Sequence, residues 1–391
     1  MVSAGRAKRT KAVPVASMAQ AVAGRGVVIC CGSGGVGKTT TAAALAVAAV
    51  HRQGGRVLVL TIDPARRLAT ALGMEAVGNA ETRVMLGKGM PAGAELWVAM
   101  LDTSASWDDL VIRHAADVAT AQRILVNPLY RNITQRFVQS HDYIALERLY
   151  ELERSGRYDL IIIDTPPSRH ALDFLDAPAR MADFFSSALL RWITLPYRVG
   201  GERAGRLGYL AAKPFYQVAD RILGSQFLKD IAEFFLLFQS MYEGFVDRSN
   251  AVAALLHDER TTFAVVTTTE PAPLHEAEFL LAELAKRKLR RGALVLNRVL
   301  PAEIADPAAL TLARRIEAEG APKASGTAAQ RRVIEAMART HLRFAALADQ
   351  EAAARRRLAA DTEVLVAVAE QPGDITDLAS LARLGDMLWP A

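Results

Sequence analysis

The stretch G-S-G-G-V-G-K-T, Gly32–Thr39, decides the fold. It matches the pattern G-x-x-x-x-G-K-[ST] and stands between a predicted strand, Val27–Cys31, and a predicted helix, which is the context that the pattern requires. Glycines let successive backbone N–H groups curl around an anion, and the start of the following helix adds the positive end of its dipole. The stretch therefore predicts a phosphate-binding loop in an α/β fold.

The residues of this loop have different predicted roles. Lys38 is expected to reach the β- and γ-phosphates of a nucleotide, and the Thr39 hydroxyl is expected to ligate Mg²⁺. A Gly-rich turn with an incidental Lys-Thr pair is the alternative, and the strand and helix on its two sides argue against it. The other predicted nucleotide-contacting residues are Gly34, Gly35, Val36, Gly37 and Thr40.

Three polar residues follow predicted strands and would meet at the carboxyl edge of the sheet, where ligands bind in such folds. Asp164 ends L-I-I-I-D, Leu160–Asp164, and is expected to hold Mg²⁺ through water; the alternative is a helix cap. Asp63, in T-I-D-P-A, is a candidate to orient the attacking water, or else an ordinary Asp-Pro turn. Asn297 is a candidate to bind an adenine edge through its amide, or else a turn residue.

Apolar runs that alternate with helical patterns recur along the chain. Continuous apolar strands separated by helices are typical of a parallel sheet with helices on both faces. The predicted fold class is therefore α/β, a doubly wound and mostly parallel sheet with a helical insertion. The predicted strands are Val27–Cys31, Val57–Ile62, Leu96–Leu101, Leu160–Ile163, Phe263–Thr267, Ala293–Leu296 and Val364–Val368.

The predicted domain organisation has one large unit. Residues 1–25 are expected to form a flexible leader and residues 26–391 the domain that contains the phosphate-binding loop, with a helical subdomain inserted at about 169–258. Apolar residues at helical spacing within the insertion form either core or a client-binding face. They are Leu228, Ile231, Phe235, Phe238, Tyr242 and Phe245, and upstream Phe184, Phe185, Ala188, Leu189 and Trp192, with the Arg/Gly-rich segment 198–208 between the two groups. A second helical stretch, broken at 320–326, covers 302–357.

Composition excludes several classes of protein. The chain has 391 residues, 51% of them hydrophobic, which excludes global disorder. A net charge of +5 is too small for a dedicated nucleic-acid binder, so no nucleic-acid partner is expected. Its two cysteines, adjacent at Cys30 and Cys31, exclude a disulfide framework and a C-x-x-C zinc pair. These features, and the lack of a long apolar segment, predict a cytoplasmic protein that is at most peripheral at a membrane.

Taken together, the motifs resemble the ArsA/GET family of P-loop ATPases, which includes the arsenite-pump ATPase and the cytosolic factor that delivers tail-anchored membrane proteins. The resemblance covers about Val27 to Leu388 and looks closest to bacterial members with a single phosphate loop. The motifs that carry it are C-G-S-G-G-V-G-K-T-T-T (Cys31–Thr41), T-I-D-P-A-R-R-L-A (Thr61–Ala69), I-I-D-T-P-P-S-R-H-A-L (Ile162–Leu172), F-Q-S-M-Y-E-G-F (Phe238–Phe245), T-E-P (Thr269–Pro271) and L-N-R (Leu296–Arg298).

The resemblance implies an ATP- and Mg²⁺-dependent dimeric ATPase. Asp63 matches the family's first switch aspartate, which activates the hydrolytic water, and Asp164 heads the second switch, which couples the γ-phosphate to the insertion. Asn297 matches the adenine-reading Asn, and the segment 370–374 would lie on the adenine's other side. In relatives the insertions of two subunits form an apolar groove, so the implied partner is an apolar client helix or a membrane protein.

Three departures from the family pattern shape the functional expectation. Ser33 occupies the position of an early loop Lys that reaches the partner subunit's nucleotide, so the chain is expected to pair either with itself or with a Lys-bearing paralogue. The family's zinc-binding C-x-x-C and its arsenite-binding thiols are both missing, so no zinc is expected. The predicted function is capture or targeting of an apolar segment; an anion exporter's energising subunit and a weakly catalytic half of a heterodimer are the alternatives.

Overall fold

A mostly parallel sheet organises the chain. The computed structural model describes residues 18–62, 67–74, 77–87, 90–136, 138–166, 175–177, 179–180, 183 and 225–389. The sheet order is β3-β4-β2-β5-β1-β6-β7-β8, and only β3 runs antiparallel to its neighbour. The strands are β1 (Val27–Cys31), β2 (Arg56–Thr61), β3 (Thr82–Val84), β4 (Glu95–Met100), β5 (Leu160–Asp164), β6 (Thr261–Thr267), β7 (Arg291–Val299) and β8 (Val364–Ala369).

The predicted fold class is confirmed, because all seven predicted strands lie in this one sheet. The strand that the prediction missed is β3, an edge strand of three residues, Thr-Arg-Val, of which two are exposed. So short a segment has neither an apolar run nor an alternating pattern to reveal it. Its antiparallel pairing with β4 ends the parallel sheet on that side.

Helices cover both faces of the sheet. Side chains alternate along β1, so Val27 and Ile29 pack into one hydrophobic cluster and Val28 and Cys30 into the other. The helices are α1 (Met18–Val22), α2 (Lys38–Gln53), α3 (Arg67–Ala71), α4 (Thr103–His114), α5 (Val118–Val126), α6 (Pro128–Arg136), α7 (Val138–Arg154), α8 (Ser225–His257), α9 (Pro271–Lys286), α10 (Pro307–Glu319), α11 (Ala328–Leu358) and α12 (Leu378–Leu388). The first cluster takes residues from α4, α7, α8 and α9, and the second from α1, α2 and α12.

Most of the described part of the predicted insertion belongs to one helix of 33 residues, α8. Phe238 and Phe245, from the predicted apolar face, are buried in the core cluster, and the Phe245 ring stacks on those of Trp107 and Tyr143. These two positions are therefore core rather than a client surface. The other predicted face at 184–192 and the segment 198–208 lie outside the described residues, as does most of 167–224.

The predicted leader is partly helical. The helix α1 buries Met18, Ala21 and Val22 in the cluster that also contains residues of β8 and α12, so this part of the leader packs on the domain. Residues 1–17 lie outside the described part of the chain. Among the described helices, none is both long enough and apolar enough to cross a membrane.

The helical stretch predicted at 302–357 is a hairpin of α10 and α11. It breaks at Gly320 and Gly326, both of which have positive φ. Thr327 then starts α11 with a capping box, in which its hydroxyl accepts from the Gln330 N–H and the Gln330 side chain accepts from the Thr327 N–H. The hairpin has its own small apolar cluster, centred on Ala313, Ile316 and Ala338 and separate from the two main ones.

Candidate functional site

The predicted phosphate-binding loop connects β1 to α2 and is built around two left-handed glycines. Gly35 has φ 80° and Gly37, at the helix start, has φ 94°, a region that other L-residues rarely adopt. At Gly37 space is also missing, because a Cβ atom would lie 2.4 Å from Asn297 Nδ2. Gly34 and Gly35 are exposed, Val36 is buried, and Thr40 is half-buried on the first turn of α2.

Lys38 is almost fully buried and lies across this loop. Its Nζ donates a hydrogen bond of 2.8 Å to the backbone oxygen of Ser33. The ammonium group is thus held over the loop rather than extended into solvent. The side chain of Ser33 is also buried, and its hydroxyl has no hydrogen-bond partner among the described residues.

Asp164 reaches the loop from β5. The sheet register pairs it with Cys30 of β1 and with Thr61 of β2, which places the three strand ends side by side. Its Oδ2 atom accepts hydrogen bonds from Thr39 Oγ1 at 2.6 Å and from Thr61 Oγ1 at 3.1 Å, and the residue is fully buried. The strand pairing thus brings together the two residues that the sequence predicted for Mg²⁺.

Thr61 was not predicted as a site residue. It directly precedes the motif I-D-P, and its hydroxyl touches Asp164 only because β2 and β5 are neighbours in the sheet. The local sequence offers only a weak signal, a hydroxyl at the end of a largely apolar strand, and Thr is an ordinary strand residue that also ends β6. Its significance depends on the strand order, which the local sequence does not give.

Asn297 lies at an irregularity in β7. The pairing of β7 with β8 shifts between Asn297 and Val299, and Arg298 has φ 57°. This turn directs the Asn297 side chain toward the phosphate-binding loop, where Nδ2 donates to Val36 O at 2.8 Å, while Oδ1 accepts from Arg298 N at 3.0 Å. An amide has two N–H donors and an oxygen with two lone pairs, so these contacts use one donor and one lone pair.

Glu351 of α11 joins the two loops that follow β6 and β7. Its Oε1 accepts from Thr269 Oγ1 at 2.7 Å, and its Oε2 accepts from Leu300 N at 2.9 Å. Thr269 belongs to the T-E-P motif and Leu300 follows Asn297 closely. Glu351 was not a predicted site residue, because it is one of three acidic side chains on the long helix α11 and no local motif distinguishes it.

The comparisons with known proteins agree with this arrangement. The sequence profile of the anion-transporting ATPases matches residues 25–321. The chain belongs to this family. Because members are ATPases, the chain is a nucleotide-binding ATP hydrolase.

Individual relatives carry several names. ATPase GET3 of Podospora anserina is 27% identical over 290 residues, which are 73% of this chain and 77% of the relative. The "Putative arsenical pump-driving ATPase 2" of Aquifex aeolicus is 27% identical over 276 residues, 69% of this chain and 79% of the relative. ATPase ASNA1 homolog 1 of Paramecium tetraurelia is 26% identical over 275 residues, 69% of this chain and 73% of the relative.

The two cysteines of this family member are buried thiols with raised pKa values. Burial raises the pKa of the Cys31 thiol to about 12. It also raises the pKa of the Cys30 thiol, to which the nearby charge of Asp164 adds. Because a thiolate is the form that binds metals and metalloids, neither residue is suited to bind them in the folded chain.

Two further predicted positions have different standing. Asp63 lies outside the described residues; the strand β2 ends two residues before it, at Thr61. The segment 370–374 follows β8, and Glu370 N donates to Val299 O at 3.0 Å, beside the end of β7. The adenine contact of that segment and the water-orienting role of Asp63 stay predictions.

Proposed function

We propose that this ATPase binds ATP on the loop Gly32–Thr39 and holds Mg²⁺ with Thr39 and Asp164. The observation that carries the proposal is the hydrogen bond of 2.6 Å between Thr39 Oγ1 and Asp164 Oδ2. Hydroxyl and carboxylate oxygens are ligands that suit Mg²⁺, and the ion usually keeps several of its waters. The Thr39 hydroxyl would therefore bind the ion directly, and Asp164 would hold it through a water. When bound, Mg²⁺ supplies positive charge against the phosphate oxygens.

The chain's own groups complete the proposed site. The N–H groups around Gly35 and Gly37 bind phosphate oxygens, and Lys38 transfers its hydrogen bond from the Ser33 carbonyl to the phosphates. Asp63 orients the attacking water. The second N–H and the second lone pair of the Asn297 amide bind the adenine edge, while its existing contact with Val36 holds it against the loop.

At the level of assembly, the function that best fits is that of a dimer whose nucleotide state moves a helical insertion at about 169–258. The insertion captures an apolar protein segment or a membrane-associated partner. Support comes from the family resemblance and from the position of α8, which leads from the insertion directly into β6 at Thr261. Closure with ATP bound and reopening after hydrolysis would then be transmitted from Asp164 along the chain that follows β5.

Ser33 favours a second candidate, in which the chain is a weakly catalytic half of a heterodimer. Its side chain is short, uncharged and buried, so it cannot place a cation at a partner's nucleotide. Such a cation contributes orders of magnitude in rate where it occurs in other phosphate-transferring enzymes. A paralogue with a Lys at this position would supply what this chain lacks.

A third candidate, an energising subunit of an anion exporter, is favoured by the name of the Aquifex aeolicus relative. The burial of both cysteines argues against arsenite as its ligand. If arsenite or antimonite stimulated ATP turnover, this candidate would replace the client-capture function.

The nucleotide site is tested by replacing Asp164 with Asn. We expect ATP turnover to fall about a hundredfold and its dependence on Mg²⁺ concentration to shift upward, because charged groups preorganised at a reacting phosphate contribute on this scale. The matched control is Asp386→Asn, since Asp386 is an exposed surface partner of Arg52 and should leave turnover unchanged. Circular dichroism and thermal melting of both variants check folding. Unchanged Mg²⁺ dependence in a folded Asp164→Asn protein would contradict the proposed metal site.

The proposed reaction residue and the assembly need separate experiments. Asp63→Asn should retain ATP binding and lose turnover, so unchanged turnover would remove Asp63 from the mechanism.

For the assembly, hydrolysis by the purified chain is compared with hydrolysis by a mixture of the chain and a Lys-bearing paralogue. Strong stimulation supports the heterodimer, whereas robust turnover by the chain alone supports the homodimer.

A further inference from the structure

The helix α11 has exposed apolar side chains on one of its faces. Val333, Met337, Phe344 and Leu347 are 59%, 66%, 42% and 49% exposed, respectively. Isolated exposed apolar residues are ordinary on protein surfaces, whereas apolar residues that adjoin one another on one helix face form a patch of the kind found at interaction sites. Together with Thr340, which is also exposed, we call these five residues the α11 stripe.

The opposite face of α11 is already used. There Ala338, with Ile334 and Leu342 beside it, packs against Ala313 and Ile316 of α10. This small apolar cluster holds the two helices of the hairpin together, and the α11 stripe is not part of it. Among the described residues, no apolar cluster contains a member of the stripe.

The spacing of the stripe favours a helix as its occupant. The residue numbers 333, 337, 340, 344 and 347 advance by four, three, four and three, which is the seam of a coiled coil. A narrow seam of this kind accepts the side chains of one partner helix as knobs. A helix that lies in a membrane surface usually has a broader apolar face with a period of 3.6 residues.

The charge beside the stripe favours an acidic occupant. Residues 307–358 contain ten Lys and Arg against five Asp and Glu, a net charge of +5 that equals the net charge of the whole chain. Arg332, Arg339 and Arg343 are exposed and, seven and four residues apart, lie along one side of the stripe. The same charge disfavours a second copy of this hairpin as the occupant, because its arginines would repel.

We propose that the α11 stripe docks an acidic amphipathic helix of a partner protein. Apolar residues at heptad spacing on the partner would fill the seam between Val333 and Leu347. Its carboxylates would lie on the side of Arg343, which flanks the seam, within reach of the long side chains of Arg332 and Arg339 in the next row. The C-terminal part of the same helix holds the nucleotide-site loops through Glu351, so the docking surface and the site share one rigid element.

A labelled variant tests the docking directly. Because Cys30 and Cys31 are buried, Thr340→Cys gives a single accessible thiol in the middle of the stripe. The thiol carries a polarity-sensitive fluorophore, and the full-length protein is titrated with a synthetic 21-residue helix that has Leu at the a and d positions and Glu at the e and g positions. We expect saturable binding with a blue-shifted emission. The matched label at Ala318, an exposed position on α10 outside the stripe, should not shift.

Variants then separate the apolar and the charge contributions. Met337→Ser with Phe344→Ser should raise the Kd of the acidic peptide about tenfold or more, since central apolar anchors dominate such interfaces. The double substitution Met85→Ser and Ile112→Ser, at two exposed positions outside the stripe, is the control and should leave the Kd unchanged. Unaltered ATP turnover and thermal melting in both double variants show that the fold is intact.

Four results would overturn the proposal. The acidic peptide does not bind, or a peptide with Lys at the e and g positions binds equally well, which removes the charge argument. Sedimentation equilibrium detects self-association that Met337→Ser with Phe344→Ser abolishes, which assigns the stripe to a second copy. Vesicles of phosphatidylglycerol bind the protein through the stripe while the peptide does not, which assigns it to a membrane surface.

Discussion

The carboxyl edge of the sheet and the α10–α11 hairpin bring their functional side chains together in two different ways. At the sheet edge, polar groups from distant parts of the sequence meet: strand register places Thr61 beside Asp164, and the loop after β1 brings Thr39 to the same carboxylate. On the hairpin, the exposed groups are neighbours on one helix, and the cluster that holds this helix against α10 is separate from the two clusters that cover the sheet. The first region depends on the whole fold, whereas the second depends on a local cluster. Substitutions at the sheet edge should therefore change ATP binding and turnover, whereas substitutions in the hairpin cluster should change only local stability.

The largest effect is expected at Gly37, where the loop has no tolerance. Gly37→Ala adds a Cβ atom that would lie 2.4 Å from Asn297 Nδ2, and a φ of 94° is itself unfavourable for alanine by about 1–2 kcal/mol. We expect ATP affinity to fall at least about a hundredfold, which corresponds to about 2.8 kcal/mol. Equilibrium binding of a fluorescent ATP analogue measures it.

The control for that substitution is Gly78→Ala, since a Cβ at Gly78 meets no atom within 4 Å and the residue has no positive φ. The double variant Gly37→Ala with Asn297→Ala removes the contact and leaves the backbone strain, so it should recover part of the lost affinity. Full affinity in Gly37→Ala alone would mean that the loop is not the nucleotide site.

The loop and the strands beside it were predictable from the sequence because their signals are local. The glycines, Lys38 and Thr39 stand within eight residues of one another, and Asp164 ends an apolar run that reads as a strand by itself. The predicted meeting of Thr39 and Asp164 followed from a general property of parallel sheets, in which the strands end at one edge.

What the sequence did not reveal depends on tertiary proximity. Glu351 lies more than fifty residues beyond Asn297 on a helix full of charges, and only folding places its carboxylate between Thr269 and Leu300. The strand β3 was missed because Thr82–Val84 is too short for a pattern. The packing of Phe238 and Phe245 was left open between core and client surface, since helical spacing alone is the same for both.

An intermediate effect is expected for Asn297→Ala, which removes a contact between β7 and the loop. Loss of the hydrogen bond to Val36 O and of the amide proposed to bind adenine should weaken ATP binding about tenfold, or about 1.4 kcal/mol. Binding of GTP should weaken less, because the proposed adenine contact is not part of it. Isothermal titration with both nucleotides measures the ratio. An equal loss of affinity for ATP and GTP would mean that Asn297 only supports the loop through Val36 and does not contact adenine.

A smaller effect is expected for Glu351→Gln, at the residue that connects the two regions. The amide that replaces the carboxylate can keep one acceptor contact, but its NH₂ group would face either the Thr269 hydroxyl or the Leu300 N–H. We expect the KM for ATP to rise about fivefold with kcat nearly unchanged, since one hydrogen bond contributes about 1 kcal/mol. The control is Glu317→Gln, exposed on α10. A fall in kcat at constant KM would contradict a positioning role.

The smallest effect on turnover, and a large local one, is expected for Ile316→Ala in the hairpin cluster. Ile316 packs with Ala313 and Ala338 in a cluster separate from both main cores, so its loss should loosen the hairpin by about 2 kcal/mol and leave ATP turnover within about twofold. Cleavage by trypsin between Arg314 and Arg343 reports this loosening, because it follows the population of the open hairpin and should rise about thirtyfold. Leu312→Ala, at an exposed neighbour, should not change it. If Ile316→Ala instead lowered the melting temperature of the whole protein and abolished turnover, the hairpin would be part of the main cooperative unit, and the division between the two regions would fail.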